Sequence, residues 1–192
     1  MTRSHRVLLF VAALACSPLV LAHTGTTAHT HAGFVDGALH PLTGADHLVA
    51  MLAVGAWSAL AIRQVWAAPL AFVALLACGA LAGAAGLQVP GIEPMIAASL
   101  VAVGLLIATL RRVPAIAAAT LAGGFAFFHG AAHGVELGAN IFVLAGLVAA
   151  TAGLHLAGIA LGQFVLARHR WLPQLSGGLV ALLGATLLLR LA

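Results

Sequence analysis

The sequence contains no lysine and no tyrosine, and only four of its 192 residues are acidic. Charged residues make up 6% of the chain, whereas 63% of the residues are hydrophobic. The eight basic residues are all arginines, and they are scattered rather than gathered into the basic patch that binding to nucleic acid requires. This composition is typical of a membrane protein.

Cysteine is also scarce, with Cys16 and Cys78 as the two examples. Residues 1–6, MTRSHR, are basic, residues 7–15 are apolar, and the small-residue sequence VLA precedes His23, as in a secretory signal. We expect residues 1–22 to be a cleaved signal peptide; an uncleaved first span or a lipoprotein anchor at Cys16 are the alternatives. Cleavage would leave one cysteine, which excludes an internal disulfide and a thiolate-rich metal site.

Six apolar segments of about 20 residues follow, and lipid offers the backbone no hydrogen-bond partners, so we expect each to be helical. The predicted fold is an all-α polytopic membrane protein in which a six-helix transmembrane domain occupies residues 23–192. Within it, residues 23–39 form a periplasmic segment that contains histidine. The predicted spans are 44–62, 66–87, 93–110, 114–135, 140–166 and 173–191.

Arginine occurs in alternate loops between these segments. Arg63 follows the first span, Arg111 and Arg112 follow the third, and Arg168 and Arg170 follow the fifth, whereas the other two loops have none. The positive-inside rule therefore predicts that the arginine loops are cytoplasmic and that both mature termini are periplasmic. All four acidic residues then lie near the periplasmic face of a bacterial inner membrane.

The fourth predicted span ends in FHGAAHGVE, residues 128–136. His129, His133 and Glu136 follow at helical spacings of four and three, so their side chains share one face. Ionisable side chains inside a span are costly, by about 2.5–3.5 kcal/mol for Asp, and usually face a cavity or a partner. Imidazole and carboxylate groups together suit nickel, cobalt or zinc. A hydrogen-bonded polar patch between helices is the alternative interpretation.

A second motif, HPLTGADH, covers residues 40–47. We expect Pro41 to interrupt any helix through His40, and Thr43 to cap the next helix. His40 would then fold back over the start of the next helix, towards Asp46 and His47. Together the motifs predict one shared metal site between the first and fourth spans, with His40, Asp46, His47, His129, His133 and Glu136 as its residues.

The patterns H-x5-D-H and F-H-G-x-[A/V]-H-G-x-E closely resemble the HupE/UreJ family, membrane proteins associated with hydrogenase and urease gene clusters. The resemblance implies a secondary transporter that imports nickel, or cobalt in some members, for metalloenzyme maturation. It also implies that the six residues above are essential. The residue types alone indicate only a divalent transition metal. We expect no fixed cofactor; the partners are the transported ion and the lipid bilayer, and the sequence indicates no oligomeric state.

Several further residues are candidates for an entrance or a pathway. The segment after the leader is either a metal-gathering entrance or a flexible polar linker, and Glu93 is either a pathway acid or a helix N-terminal carboxylate. His155, deep in the fifth span, is either a relay ligand or a histidine hydrogen-bonded between helices. These candidates are His23, His29, His31, Asp36, Glu93 and His155.

Two other functions would use the same histidines. An intramembrane hydrolase would hold zinc with an open position for water, and a haem-binding membrane subunit would ligate iron from facing helices. The crowding of the motifs with acids at one face disfavours haem. The chain has no G-x4-GK[ST] phosphate loop, so we expect a transporter without ATP hydrolysis and without enzyme activity.

Overall fold

The computed structural model describes residues 33–191, which form seven α-helices and one short 3-10 turn at Leu166–Arg168. The predicted signal peptide and the histidines at 23, 29 and 31 lie outside this range. The helices are α1 Phe34–Thr43, α2 Ala45–Ala61, α3 Ala67–Ala84, α4 Ile92–Thr109, α5 Ala115–Leu137, α6 Ile141–Phe164 and α7 Trp171–Leu191.

Five helices, α3 to α7, are long and apolar enough to cross a membrane, and α1 with α2 qualifies only as a pair bent by 89°. The chain is thus an all-helical, multi-pass membrane protein with five to six candidate spans. The predicted span limits agree with the helix limits to within a few residues. The thickness of the bilayer sets how many apolar residues a spanning helix needs, so the lengths of the spans could be predicted from the sequence.

The break before the first predicted span differs from the prediction. Pro41 does not interrupt the helix but lies inside α1, in its last turn, and the break falls at Gly44, whose ψ of 117° is extended. Thr43 is not the cap of α2, because Gly44 is the N-cap residue, and the Thr43 hydroxyl donates instead to the carbonyl of His40 at 2.7 Å. A proline at this position removes its own helical hydrogen bond, the one to the carbonyl of Gly37, and α1 ends two residues later.

The spans pack as close pairs, α3 with α5, α4 with α7, and α2 with α6, while α1 packs on α6. A Cβ atom on Gly130 would lie 2.0 Å from the carbonyl oxygen of Leu76, and one on Gly134 would lie 2.0 Å from that of Ala80. Because both residue numbers rise together, α3 and α5 run in the same direction. This register agrees with the alternating topology, and these small residues allow the backbones to approach closely.

The close contact between α3 and α5 leads to a stability prediction for α5. Gly130→Ala should destabilise the protein by about 1–3 kcal/mol, because its Cβ would meet the backbone of α3. Gly124→Ala on the same helix is the matched control, because a Cβ there meets nothing within 4 Å. Thermal unfolding in detergent should show a lower midpoint for Gly130→Ala alone, and equal midpoints for the two variants would contradict the packing.

Candidate metal centre

The two histidine motifs meet at one end of the helix bundle. His40 and Glu136 are 96 residues apart in sequence, yet His40 Nε2 lies 3.2 Å from Glu136 Oε2. The rings of His47 and His133 have centroids 4.4 Å apart. The ends of α1 and α5 and the start of α2 therefore converge as the sequence analysis expected.

Three of the six predicted site residues form what we call the outer cluster: His40, His133 and Glu136. Each offers one ligand atom, and the three atoms lie within 4.8 Å of one another. Donors around one tetrahedral divalent ion at about 2.1 Å lie roughly 3.4 Å apart, so the three atoms would have to draw together by at most about 1.4 Å. No other group of three or more His, Cys, Asp or Glu side chains within residues 33–191 has this geometry.

The outer cluster reaches the surface through its carboxylate. The Glu136 side chain is 40% exposed, whereas that of His40 is 9% exposed and His133 is buried. An ion arriving from water would therefore meet a negative charge first and the imidazoles behind it. This order suits capture of a cation.

His47 and His129 form a second set, which we call the inner pair. Their ring centroids are 5.0 Å apart, at an interplanar angle of 89°. Asp46 Oδ1 accepts a hydrogen bond from the backbone N–H of His47 at 2.9 Å and lies 3.1 Å from His47 Nδ1. The hydroxyl oxygen of Ser99, on α4, lies 3.0 Å from His129 Nε2. The inner pair thus has a polar neighbour on each imidazole.

His133 connects the outer cluster to the inner pair. Its ring centroid lies 4.9 Å from that of His40 and 4.4 Å from that of His47. His129 is one turn further into α5 than His133, and its side chain is fully buried. Four imidazoles therefore lie in ring contact from the exposed Glu136 into the interior of the bundle.

His155 continues this direction on α6. The Phe72 ring has its centroid 5.6 Å from that of His129 and 4.9 Å from that of His155. No side chain within residues 33–191 forms a hydrogen bond with either ring nitrogen of His155. Both roles expected of His155, relay ligand and histidine hydrogen-bonded between helices, therefore stay predictions.

The remaining candidates among the described residues, Asp36 and Glu93, are not members of the outer cluster. The Asp36 carboxylate accepts a hydrogen bond from the backbone N–H of Gly33 at 3.1 Å, at the start of α1. Glu93 is exposed in the first turn of α4, where the helix dipole stabilises a negatively charged carboxylate.

Ser99 and Phe72 were missed by the sequence analysis. Ser99 stands in an apolar run, and its buried hydroxyl also donates to the carbonyl of Ile96 at 2.6 Å. A lone polar residue inside a span was the available signal for Ser99. Nothing in the sequence distinguishes Phe72 from the other apolar residues of α3.

The part of the chain that contains both histidine motifs is similar to a known protein family. Residues 11–187 match the family model described as HupE / UreJ protein. The chain is 40% identical over 184 residues to Protein HupE of Rhizobium leguminosarum bv. viciae, which covers 93% of this chain and 94% of that protein. No solved structure matches the chain.

Proposed function

The chain belongs to the HupE/UreJ family of membrane transport proteins, which is associated with nickel and cobalt uptake, and from this premise we propose that it imports nickel. The ion would pass from the periplasm to the cytoplasm by secondary transport, for metalloenzyme maturation, with cobalt as a second cargo. The observation that supports this most directly is the convergence of three ligand atoms within 4.8 Å in the outer cluster.

The outer cluster supplies the chemistry of capture. Before the ion arrives, His40 and Glu136 are hydrogen-bonded to each other, and a divalent cation would replace the proton between them. Two imidazoles and one carboxylate bind nickel and cobalt well. They hold the ion less firmly than thiolates would, and transport requires a site that also releases its ion.

The arginine distribution supports the direction of transport. Arg63 lies between α2 and α3, Arg111 and Arg112 between α4 and α5, and Arg168 and Arg170 between α6 and α7. By the positive-inside rule these connections are cytoplasmic. The outer cluster lies at the end of α5 away from Arg112 and near the start of α2, so it would open to the periplasm. Both mature termini would then be periplasmic.

Beyond capture, we assign the other candidates to entry and passage. Asp46, His47 and His129 would accept the ion after the outer cluster, and His155 would lie further along the same route. Entry roles go to the histidines and acids that precede or border the bundle, namely His23, His29, His31, Asp36 and Glu93.

Uptake of radioactive nickel into cells lacking other nickel importers tests the function. Cells that express the protein should accumulate nickel above vector controls, and excess cobalt should compete. The His129→Ala variant should be deficient. Accumulation no higher than in vector controls, with the protein inserted in the membrane, would refute nickel import. Zinc-dependent hydrolysis of lipid amides or a Soret band in the purified protein would instead favour the hydrolase or haem alternatives.

Uptake should also depend on pH. Metal binding needs neutral imidazoles, so protons compete with the ion as the pH falls through the range where histidine ordinarily titrates. We expect uptake by proteoliposomes at limiting nickel to fall several-fold between about pH 7 and pH 5. The measurement is initial rate against external pH, and a flat profile would contradict imidazole ligation.

A further inference from the structure

The short helix α1 directs its large apolar side chains away from the rest of the described chain. Four of its ten residues are large, apolar and 46–65% exposed, and we call them the apolar face: Phe34, Val35, Leu39 and Leu42. At 100° per residue these four lie within an arc of about 140°. Gly37, His40 and Pro41 are buried on the other side of the helix, and the acidic Asp36 lies outside the arc. The apolar face therefore carries no charge.

The axis of α1 lies across the spans of the bundle. The span α2 runs beside α6, because a Cβ atom on Gly158 would collide with the carbonyl oxygen of Leu52. One turn further along both helices, Gly162 lies against Ala56 in the same way. Since α1 meets α2 at an angle of 89°, α1 lies close to the plane of the bilayer that the spans cross.

The depth of α1 follows from where it touches α6. A Cβ atom on Gly37 would collide with the carbonyl oxygen of Val143, and one on Gly146 would collide with that of Phe34. These contacts lie two and five residues after the start of α6, or about 3–8 Å along its axis. With its 24 residues, α6 is about 36 Å long, and a hydrocarbon core of about 30 Å leaves about 3 Å of helix at each end. The contacts of α1 therefore lie between the edge of the core and about 5 Å inside it, in the zone where interfacial amphipathic helices rest.

We propose that α1 is an interfacial helix whose apolar face lies among the lipid acyl chains of the leaflet next to the outer cluster. The lipid-facing surface of the spans continues onto this face. The first two residues of α6, the helix on which α1 packs, are likewise large, apolar and 65–67% exposed, namely Ile141 and Phe142. The partner of the apolar face is thus the lipid that already surrounds the spans.

Water would be the poorer environment for this helix. The cost of exposing apolar surface to water grows with its area, and four large side chains contribute to it here. A helix of ten residues is also too short to be stable alone in water, so α1 depends on its surroundings. Lipid on one side and α6 on the other hold α1, together with His40 on its packed side. The proposal concerns this lipid contact alone and stands independently of nickel import.

Spin labelling of the full-length protein in phosphatidylcholine vesicles tests the proposal. Cys16→Ala and Cys78→Ala remove the native cysteines, and Val35→Cys or Leu39→Cys then carries a single nitroxide. Dissolved oxygen concentrates in lipid, whereas chromium oxalate stays in water. We expect oxygen to relax each label several-fold more strongly than chromium oxalate in power-saturation measurements. Because both side chains are exposed, the labels should leave the unfolding midpoint in detergent unchanged.

Two further positions calibrate the measurement. Leu156→Cys, exposed within the span α6, is the lipid reference and should also favour oxygen. Gln88→Cys, exposed in the connection between α3 and α4, is the water reference and should favour chromium oxalate.

Two results would overturn the lipid contact. Stronger relaxation by chromium oxalate at either position of α1 would show that the apolar face lies in water. Protection of these labels from both reagents would show that protein covers the face. Spin–spin broadening that disappears on dilution with unlabelled protein would then identify a second copy as the cover, and its absence would identify the segment before residue 33.

Discussion

Replacement of His133 by alanine should reduce nickel uptake at limiting nickel by about 100-fold or more, to the level of vector controls. His133 belongs to the outer cluster and also lies in ring contact with His47, so its loss removes a ligand from capture and from transfer. Variants of residues that serve only one of these steps should keep more activity. Initial rates of radioactive nickel uptake measure the effect.

The control for His133→Ala is His169→Ala. His169 is exposed and stacks on Trp171 at the start of α7, outside the outer cluster and the inner pair. This variant should transport at the wild-type rate. Since truncating buried His133 leaves a cavity, membrane insertion and the unfolding midpoint must be compared, with His133→Gln as a larger replacement. Wild-type uptake by either inserted His133 variant would refute the role.

The apolar segments of this chain could be predicted because a bilayer demands helices of a fixed length. The convergence of His47 and His133 could also be expected from the sequence. Imidazoles and acids inside apolar segments are costly unless they have partners, and most of those in the predicted spans belong to two motifs near one face.

The break between α1 and α2 could not be predicted from the same rules. Pro41 was the stronger breaker by residue type, yet the chain bends at Gly44. A Cβ atom on Gly37 would lie 1.9 Å from the carbonyl oxygen of Val143, so α1 is held closely against α6. The packing of α1 on α6 is tertiary information that local propensity does not contain, and residue types alone did not locate the break at Gly44.

The division of the site into two sets was equally beyond the sequence. Helical spacing puts His129, His133 and Glu136 on one face, but it does not say which imidazole each one meets on α1 and α2. The Asp46 carboxylate faces the neighbouring His47, and Ser99 enters from α4. Spacing within one helix thus predicted the candidate ligands, whereas their partners depend on how several helices pack.

Replacement of Glu136 by glutamine should raise the nickel concentration needed for half-maximal uptake by about tenfold or more. The amide oxygen can still accept a hydrogen bond from His40, so the variant removes the charge and keeps the contact. Because Glu136 is partly exposed at the mouth, folding and insertion should be unaffected, and high nickel should restore much of the maximal rate. Glu136→Asp retains the charge on a shorter side chain, so its nickel concentration for half-maximal uptake should lie between those of the wild type and Glu136→Gln. Normal uptake at limiting nickel by inserted Glu136→Gln would remove this carboxylate from the mechanism, and the exposed acid would then have no role in drawing the cation towards the histidines.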